Sequence, residues 1–142
     1  MKPTTLEYIT RADSHRAVAI ALMDPAARSP TRRPPYEWVL VIVYHAAIDY
    51  VQALVFERTS VEHVNHHRAR RSAFAREPES SAQSAHGRTL LEHYQFLERE
   101  AYDARYTLGF SAHAIDADGA LYEDLDPIRT AVRAALGLPP TP

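Results

Sequence analysis

Three histidines lie close together in the middle of the chain, at positions 63, 66 and 67. Residues four apart share one face of a helix, so His63 and His67 have the spacing that two imidazoles need to share a zinc ion. A third ligand would have to be Glu62 or a more distant residue such as His86 or His93. The alternative is a solvated, partly cationic helix. The sequence predicts no metal and no cofactor, and keeps His63 and His67 as an alternative metal-binding pair.

The same segment is rich in arginine, with Arg68, Arg70, Arg71 and Arg76 following the histidines in a chain whose net charge is −2. Guanidinium groups match the geometry of phosphate oxygens, and a helix that begins here would add free N–H groups. We therefore predict an RNA- or anion-binding surface made by Arg68, Arg70, Arg71 and His67. The alternative is that these arginines pair with the acidic stretches later in the chain.

A third polar group lies inside an apolar stretch, where His45 and Asp49 are four residues apart. Such a pair can act as an acid–base dyad, but a buried histidine is more often simply hydrogen-bonded. We expect a structural polar core in which His45 contacts Asp49, or Arg105 or Tyr106 from a later helix.

Length and composition limit the class of protein that can carry these residues. The chain has 142 residues, 46% of them hydrophobic and 24% charged, which predicts one self-sufficient domain over 1–142. Within it, 28–36 is a loop rich in proline and arginine, and 138–142 is a C-terminal tail. The absence of cysteine excludes disulfides and thiolate metal sites. The apolar run 38–48 is too short to span a membrane, so we expect a buried core helix in a cytoplasmic protein.

Periodicity predicts helices throughout. Threonine-to-glutamate spacings at Thr4/Glu7 and Thr59/Glu62 are typical of capping boxes that open helices. Further helices are predicted at 35–56, 60–76 and 86–107, and a last one is predicted to begin with Asp126 as its N-cap. The segment 111–124 is acidic and irregular, with a predicted turn at 116–119. No alternating strand pattern occurs, so the expected fold is all-α with four to five helices.

Two helices carry most of the predicted core. The helix 35–56 is apolar nearly all round and is expected to be surrounded by partners, with Trp38 and Tyr44 in its packing. The helix 86–107 is amphipathic, with a single apolar seam made by Leu90, Tyr94, Leu97, Ala101, Ala104 and Leu108.

Three segments of the chain resemble the HEPN superfamily of small helical domains, which are common in prokaryotic defence and toxin–antitoxin systems. They are residues 44–48 (YHAAI), the basic segment 63–71, and Tyr94-x-x-Leu97 followed by residues 104–106 (ARY). Together they cover 38–106, about half of the chain. The resemblance implies a four- to five-helix up-and-down bundle, frequent homodimers, and association with RNA or nucleotides.

The resemblance also implies a possible catalytic pair. Many HEPN proteins are metal-independent endoribonucleases that use an arginine and a histidine four to six residues apart. Arg58 and His63 have this spacing but would be split by a turn, whereas Arg88 and His93 lie within one predicted helix. Arg88 would hold the phosphate and His93 would act as general acid or base. Thr89 and Gln95 depart from the residues found around this pair in parts of the family.

These observations predict an HEPN-like module that binds RNA, a nucleotide or a protein partner through a basic helix, as a homodimer and without membrane contact. A bacterial defence or toxin–antitoxin setting fits the resemblance. A metal-independent endoribonuclease built on Arg88 and His93 is the alternative, and a histidine-ligated metal protein is the third hypothesis.

Overall fold

The structure is a computed structural model that describes residues 1–24, 34–63 and 65–140. Within these ranges it is helical and contains no strand, only an isolated β-bridge between Gln83 and Thr89. The predicted all-α class is therefore confirmed. Residues 28–33 of the predicted loop and 141–142 of the predicted tail lie outside the described residues.

The helical elements follow one another with short connections. They are α1 (Pro3–Met23), α2 (Tyr36–Thr59), α3 (His67–Ala75), a 3-10 helix (Pro78–Ser81), α4 (Leu90–Tyr106), α5 (Ala114–Asp118), a π-helical segment (Gly119–Leu125) and α6 (Asp126–Ala135).

Side-chain contacts show that α1 and α2 run in opposite directions. Arg11 of α1 contacts Asp49 of α2, and Lys2 at the start of α1 contacts the end of α2, so the two helices are antiparallel. Arg16 binds the first residue of α6, Asp126, through two nitrogens at 2.8 and 3.0 Å. These contacts join residues far apart in the chain and hold α1 against both α2 and the start of α6.

Helix α2 is the centre of the core, as its composition predicts. Most of its length is buried between the other helices, including Leu40, Tyr50 and Leu54. By length and composition α2 could cross a membrane, but 78% of its most apolar window is covered by the rest of the protein. It is therefore the core helix expected from the apolar run, and hydrophobic burial along it is the main stabilising term.

Trp38 and Leu108 are exceptions to the predicted packing. Trp38 lies near the beginning of α2 and is 63% exposed, and Leu108 lies beyond the end of α4 and is fully exposed. The prediction that both belong to the core is wrong, because helix periodicity does not show where the neighbouring helices end. The rest of the α4 seam packs as predicted, with Leu90, Tyr94 and Leu97 buried.

The helix ends differ from the two predicted capping boxes. Helix α1 begins at Pro3 without a side-chain cap, and Thr59 and Ser60 end α2 rather than opening a helix. Ser60 adopts a left-handed conformation, and the Lys2 ammonium binds the last α2 carbonyls, at 2.9 Å from Phe56 O. Helix α3 therefore begins only at His67, seven residues later than predicted.

A capping box is present instead at the start of α4. Thr89 Oγ1 accepts from the Glu92 N–H at 3.2 Å, and a Glu92 carboxylate oxygen accepts from the Thr89 N–H at 2.7 Å. These two bonds satisfy backbone donors that have no partner within the helix.

We expect Thr89→Ala to lower the free energy of unfolding by about 1 kcal/mol, because it removes a helix N-cap. Thr4→Ala is the matched control and should change stability by a few tenths of a kcal/mol, since α1 has no side-chain cap. Urea denaturation followed by circular dichroism measures both. Equal losses in the two variants would contradict the capping role of Thr89.

The acidic segment 111–124 is helical for most of its length, contrary to the predicted irregular structure and turn. Helix α5, the π-helical segment and α6 follow one another without interruption. The apolar side chains of Leu121, Leu125 and Ile128 are fully buried, and this burial outweighs the local turn signal of Asp118-Gly119. Asp126 is therefore not an N-cap but a partner of Arg16.

Candidate functional site

A cleft of about 420 Å³ opens between α1, α2, the beginning of α3 and the end of α4. Most of its polar lining groups are basic. It is lined by Tyr8, Arg11, His15, His45, Ile48, Asp49, Gln52, Asn65, His67, Arg70 and Arg105. We call this site the cationic cleft.

The carboxylate that lines the cationic cleft, Asp49, is bound by an arginine of the protein itself. Asp49 is buried, and Arg11 binds both of its oxygens at 2.8 and 2.5 Å. His15 Nδ1 is 3.2 Å from Asp49 Oδ2, the oxygen that accepts from Arg11 Nε. The hydrogen bond to Asp49 raises the pKa of Arg11, so the Arg11 cation is held by this carboxylate and adds little net charge to the cleft.

Arg70 brings a buried cation to the cleft without a carboxylate partner among the described residues. One of its terminal nitrogens donates to the His63 carbonyl, and the other is 3.5 Å from His67 Nδ1. Its Nε is buried and has no hydrogen-bond partner in the part of the chain that the structure describes. A buried guanidinium that lacks an opposite charge is costly, and an anion in the cleft would compensate that cost.

His67 is held by its Nδ1 atom, which lies 3.2 Å from the Tyr44 hydroxyl. Because both Tyr44 and Arg70 can donate to this nitrogen, Nδ1 is the acceptor and the proton resides on Nε2. The Tyr44 hydroxyl remains protonated, since burial raises its pKa. His67 therefore has a ring N–H available to a ligand.

His45 and Arg105 complete the cationic lining. Partial desolvation of its ring, followed by the positive charges of His15 and Arg105, lowers the pKa of His45 below 6.5. Arg105 is exposed, and its guanidinium lies 5.2 Å from the centroid of the Tyr106 ring. The described residues place no carboxylate within ion-pairing distance of Arg105.

The predicted anion-binding residues divide into two groups. His67 and Arg70 line the cationic cleft, whereas Arg71 binds Glu98 at 2.7 Å and Arg68 is exposed outside the cleft. Internal pairing with the later acidic residues, the alternative considered from the sequence, thus holds for Arg71.

The predicted structural polar core is wrong for three of its four members. Only Asp49 is buried, while His45, Arg105 and Tyr106 are exposed. Asp49 accepts from Arg11 of α1, and no hydrogen bond joins it to His45 despite their four-residue spacing. His45 and Arg105 belong instead to the lining of the cleft.

The predicted catalytic pair is placed away from the cationic cleft. His93 is fully buried, with Nδ1 2.7 Å from Asp124 Oδ1 and Nε2 2.6 Å from Ser84 Oγ. Arg88 is half-exposed and lies 3.3 Å from the same Asp124 oxygen. Burial raises the pKa of Asp124, while His93 and Arg88 act in the opposite direction. Both ring nitrogens are thus occupied, and His93 offers no exposed nitrogen for proton transfer to RNA.

The alternative metal pair is separated as well. His63 lines a different cavity, between the end of α2 and α3, whereas His67 lines the cationic cleft. Across the described part of the chain, no three histidine or acidic side chains converge as metal ligands would.

Some of the lining residues had no signal in the sequence. Arg11 and His15 lie on α1, which carries no recognisable motif, and they reach the site only because α1 is antiparallel to α2. Gln52 holds the segment that connects α2 to α3: its side chain donates to Val61 O at 2.9 Å and accepts from the His63 N–H at 3.0 Å. A polar residue inside an apolar helix is the one local sign that could have indicated Gln52.

No family model, curated protein or solved structure matches this chain. The function of the site is therefore inferred from its geometry.

Proposed function

We propose that this helical domain binds RNA or a nucleotide by holding phosphate groups in the cationic cleft. The observation that carries the proposal is a pair of arginines, Arg70 and Arg105, that line one cleft and have no carboxylate partner among the described residues. Arg70 is buried with its Nε unpaired, which is the environment in which a charge-assisted hydrogen bond to phosphate is strong.

The chemistry of the lining favours phosphate over other small anions. Two guanidinium groups and the His67 Nε2–H supply several donors, as a phosphate with its several acceptor oxygens requires. Three acidic groups lie near the cleft: Asp49 binds Arg11, Glu98 binds Arg71, and Glu62 accepts from the Tyr8 hydroxyl. Among the described residues, none of them forms an ion pair with Arg70 or Arg105. The resemblance to HEPN domains supports RNA or a nucleotide as the source of the phosphate.

The wider context stays a prediction. A homodimer, a protein partner and a defence or toxin–antitoxin setting follow from the resemblance alone. The endoribonuclease hypothesis requires catalysis at a histidine that the structure buries, so we propose a binding function without catalysis.

Isothermal titration with paired ligands tests the proposal. A nucleoside monophosphate should bind, and the nucleoside without phosphate should bind at least tenfold more weakly, since charged hydrogen bonds contribute about 1.5–3 kcal/mol each. Raising the salt concentration should weaken binding of an oligonucleotide, because phosphate contacts release counterions. Equal affinity for the phosphorylated and unphosphorylated ligands would refute the proposal.

Binding of a phosphodiester dinucleotide should strengthen as the pH falls below 6.5. The pKa of His45 is lowered from that value, so His45 is neutral at pH 7 and gains its charge only below pH 6.5, where it then attracts the ligand. A phosphodiester is the right probe because its own charge does not change in this range. His45→Gln should remove part of the pH dependence. A pH profile identical to that of the wild type would contradict this role.

A further inference from the structure

An exposed aromatic surface lies beside the cationic cleft. Trp38 is 63% exposed, Tyr102 is 62% exposed and Tyr106 is 63% exposed, although large aromatic side chains are usually mostly buried. The Tyr102 and Tyr106 rings have centroids 5.0 Å apart and are tilted by 50°. We call Trp38, Tyr102 and Tyr106 the aromatic surface.

Two shallow depressions connect this surface to the cationic cleft. One, of about 310 Å³, is lined by Tyr102 and Tyr106 and shares His67 and Arg105 with the cleft. The other, of about 270 Å³, contains Trp38 and shares Arg105 and Tyr106 with the first. Arg105 lines all three, so a path leads from the cationic cleft past the two tyrosines to Trp38.

We propose that the aromatic surface stacks the bases of a single-stranded nucleic acid whose phosphates occupy the cationic cleft. This inference rests on the proposed function and names its ligand class. Aromatic rings beside a cationic groove are the arrangement that binds single strands, because every base has a face that stacks on a ring. Bases in a duplex are stacked on one another and do not expose these faces.

Charge and polarity favour a nucleic acid over a second protein surface. The aromatic surface is interrupted by Arg105, and its tyrosines carry hydroxyl groups. Two carboxylates line the same depressions: Glu98 binds Arg71, and Glu37 accepts from the Ala112 N–H. An anionic strand places its charge on Arg105 and its flat bases on the rings, whereas an apolar partner would bury Arg105 together with these two carboxylates.

Trp38 allows a direct test because it is the sole tryptophan of the chain. Trp38 emission should change when a single-stranded adenine hexanucleotide saturates the wild-type protein. RNA and DNA versions of the same sequence form the two arms, and a preference between them shows whether the 2′-hydroxyl is read. A matched abasic strand should bind, but at least tenfold more weakly and without changing Trp38 emission.

Paired variants separate stacking from folding. Tyr102→Leu and Tyr106→Leu should each weaken hexanucleotide binding on the order of tenfold. Tyr102→Leu should leave the affinity for a phosphodiester without bases the same, because Tyr102 does not line the cationic cleft. Tyr122→Leu is the control, because Tyr122 is similarly exposed but lies on the π-helical segment, outside the three depressions. Melting temperatures of the three variants check that each is folded.

The outcomes distinguish this inference from the proposed function. Equal binding of abasic and normal strands would overturn base stacking and leave phosphate binding intact. Failure of every phosphate-bearing ligand to bind would overturn both. Protection of Trp38 from acrylamide quenching in the free protein, together with a dimer in sedimentation, would also overturn the inference, because a second copy would then cover the aromatic surface.

Discussion

Replacing Arg105 with glutamine is expected to weaken the binding of a phosphodiester dinucleotide roughly 10- to 100-fold without changing the melting temperature of the unliganded protein. A hydrogen bond from a charged donor contributes about 1.5–3 kcal/mol to binding, which corresponds to this range. Stability should not change, because Arg105 is exposed and its described contact within the protein is with the Tyr106 ring. Isothermal titration and thermal denaturation measure the two effects.

Arg99→Gln is the matched control for Arg105→Gln. Arg99 lies on the same helix and its guanidinium lies 5.5 Å from the Phe96 ring, so it has the same kind of local contact outside the cationic cleft. We expect the affinity of the Arg99→Gln variant for the dinucleotide to stay within about twofold of the wild-type affinity, because an exposed charge that does not touch the ligand usually has a small effect. Similar losses in both variants would show that overall charge, not the cleft, determines binding.

Replacing His93 with alanine is expected to lower the free energy of unfolding by about 3 kcal/mol. The change leaves a cavity and removes the hydrogen-bond partner of a buried carboxylate, Asp124, and of Ser84. His86→Ala, an exposed histidine in the segment before α4, should change stability by less than about 0.5 kcal/mol. Urea denaturation of both variants measures the difference.

The same His93 variant tests the endoribonuclease hypothesis. That hypothesis requires RNA cleavage by the wild type in the presence of EDTA and its loss in His93→Ala. The buried position of His93 leads us to expect no such cleavage, with phosphate binding preserved in the folded fraction of the variant. Metal-independent cleavage that disappears in His93→Ala but persists in His86→Ala would contradict the structural role.

The core could be predicted from the sequence because its signals are strong and local. The apolar composition of α2 and the seam of α4 each specify a buried face through side-chain periodicity alone. Helix ends were less predictable, since a threonine-to-glutamate spacing is only one of several ways to satisfy terminal N–H groups. At Thr59 the chain ends a helix with Lys2 bound to its carbonyls, a contact across more than fifty residues that no local pattern contains.

The candidate site was only partly predictable for a related reason. The basic segment indicated His67 and Arg70, because clustered arginines and histidines are visible in the sequence. Whether an arginine is neutralised depends on which carboxylate the fold places beside it, and this separates Arg71, which is bound to Glu98, from Arg70. His45 was expected to be buried because its helix is apolar all round, but helix α2 leaves that position open at the cleft.

The lining of the cationic cleft comes from four helices that are distant in the chain, with Arg11, His45, Arg70 and Arg105 each on a different one. Unfolding separates these groups, so a ligand that bridges them binds the native state and not the unfolded chain. By mass action, occupancy at a hundred times the dissociation constant stabilises such a protein by about 2.7 kcal/mol. Ligand recognition and resistance to heat are therefore thermodynamically linked in this bundle.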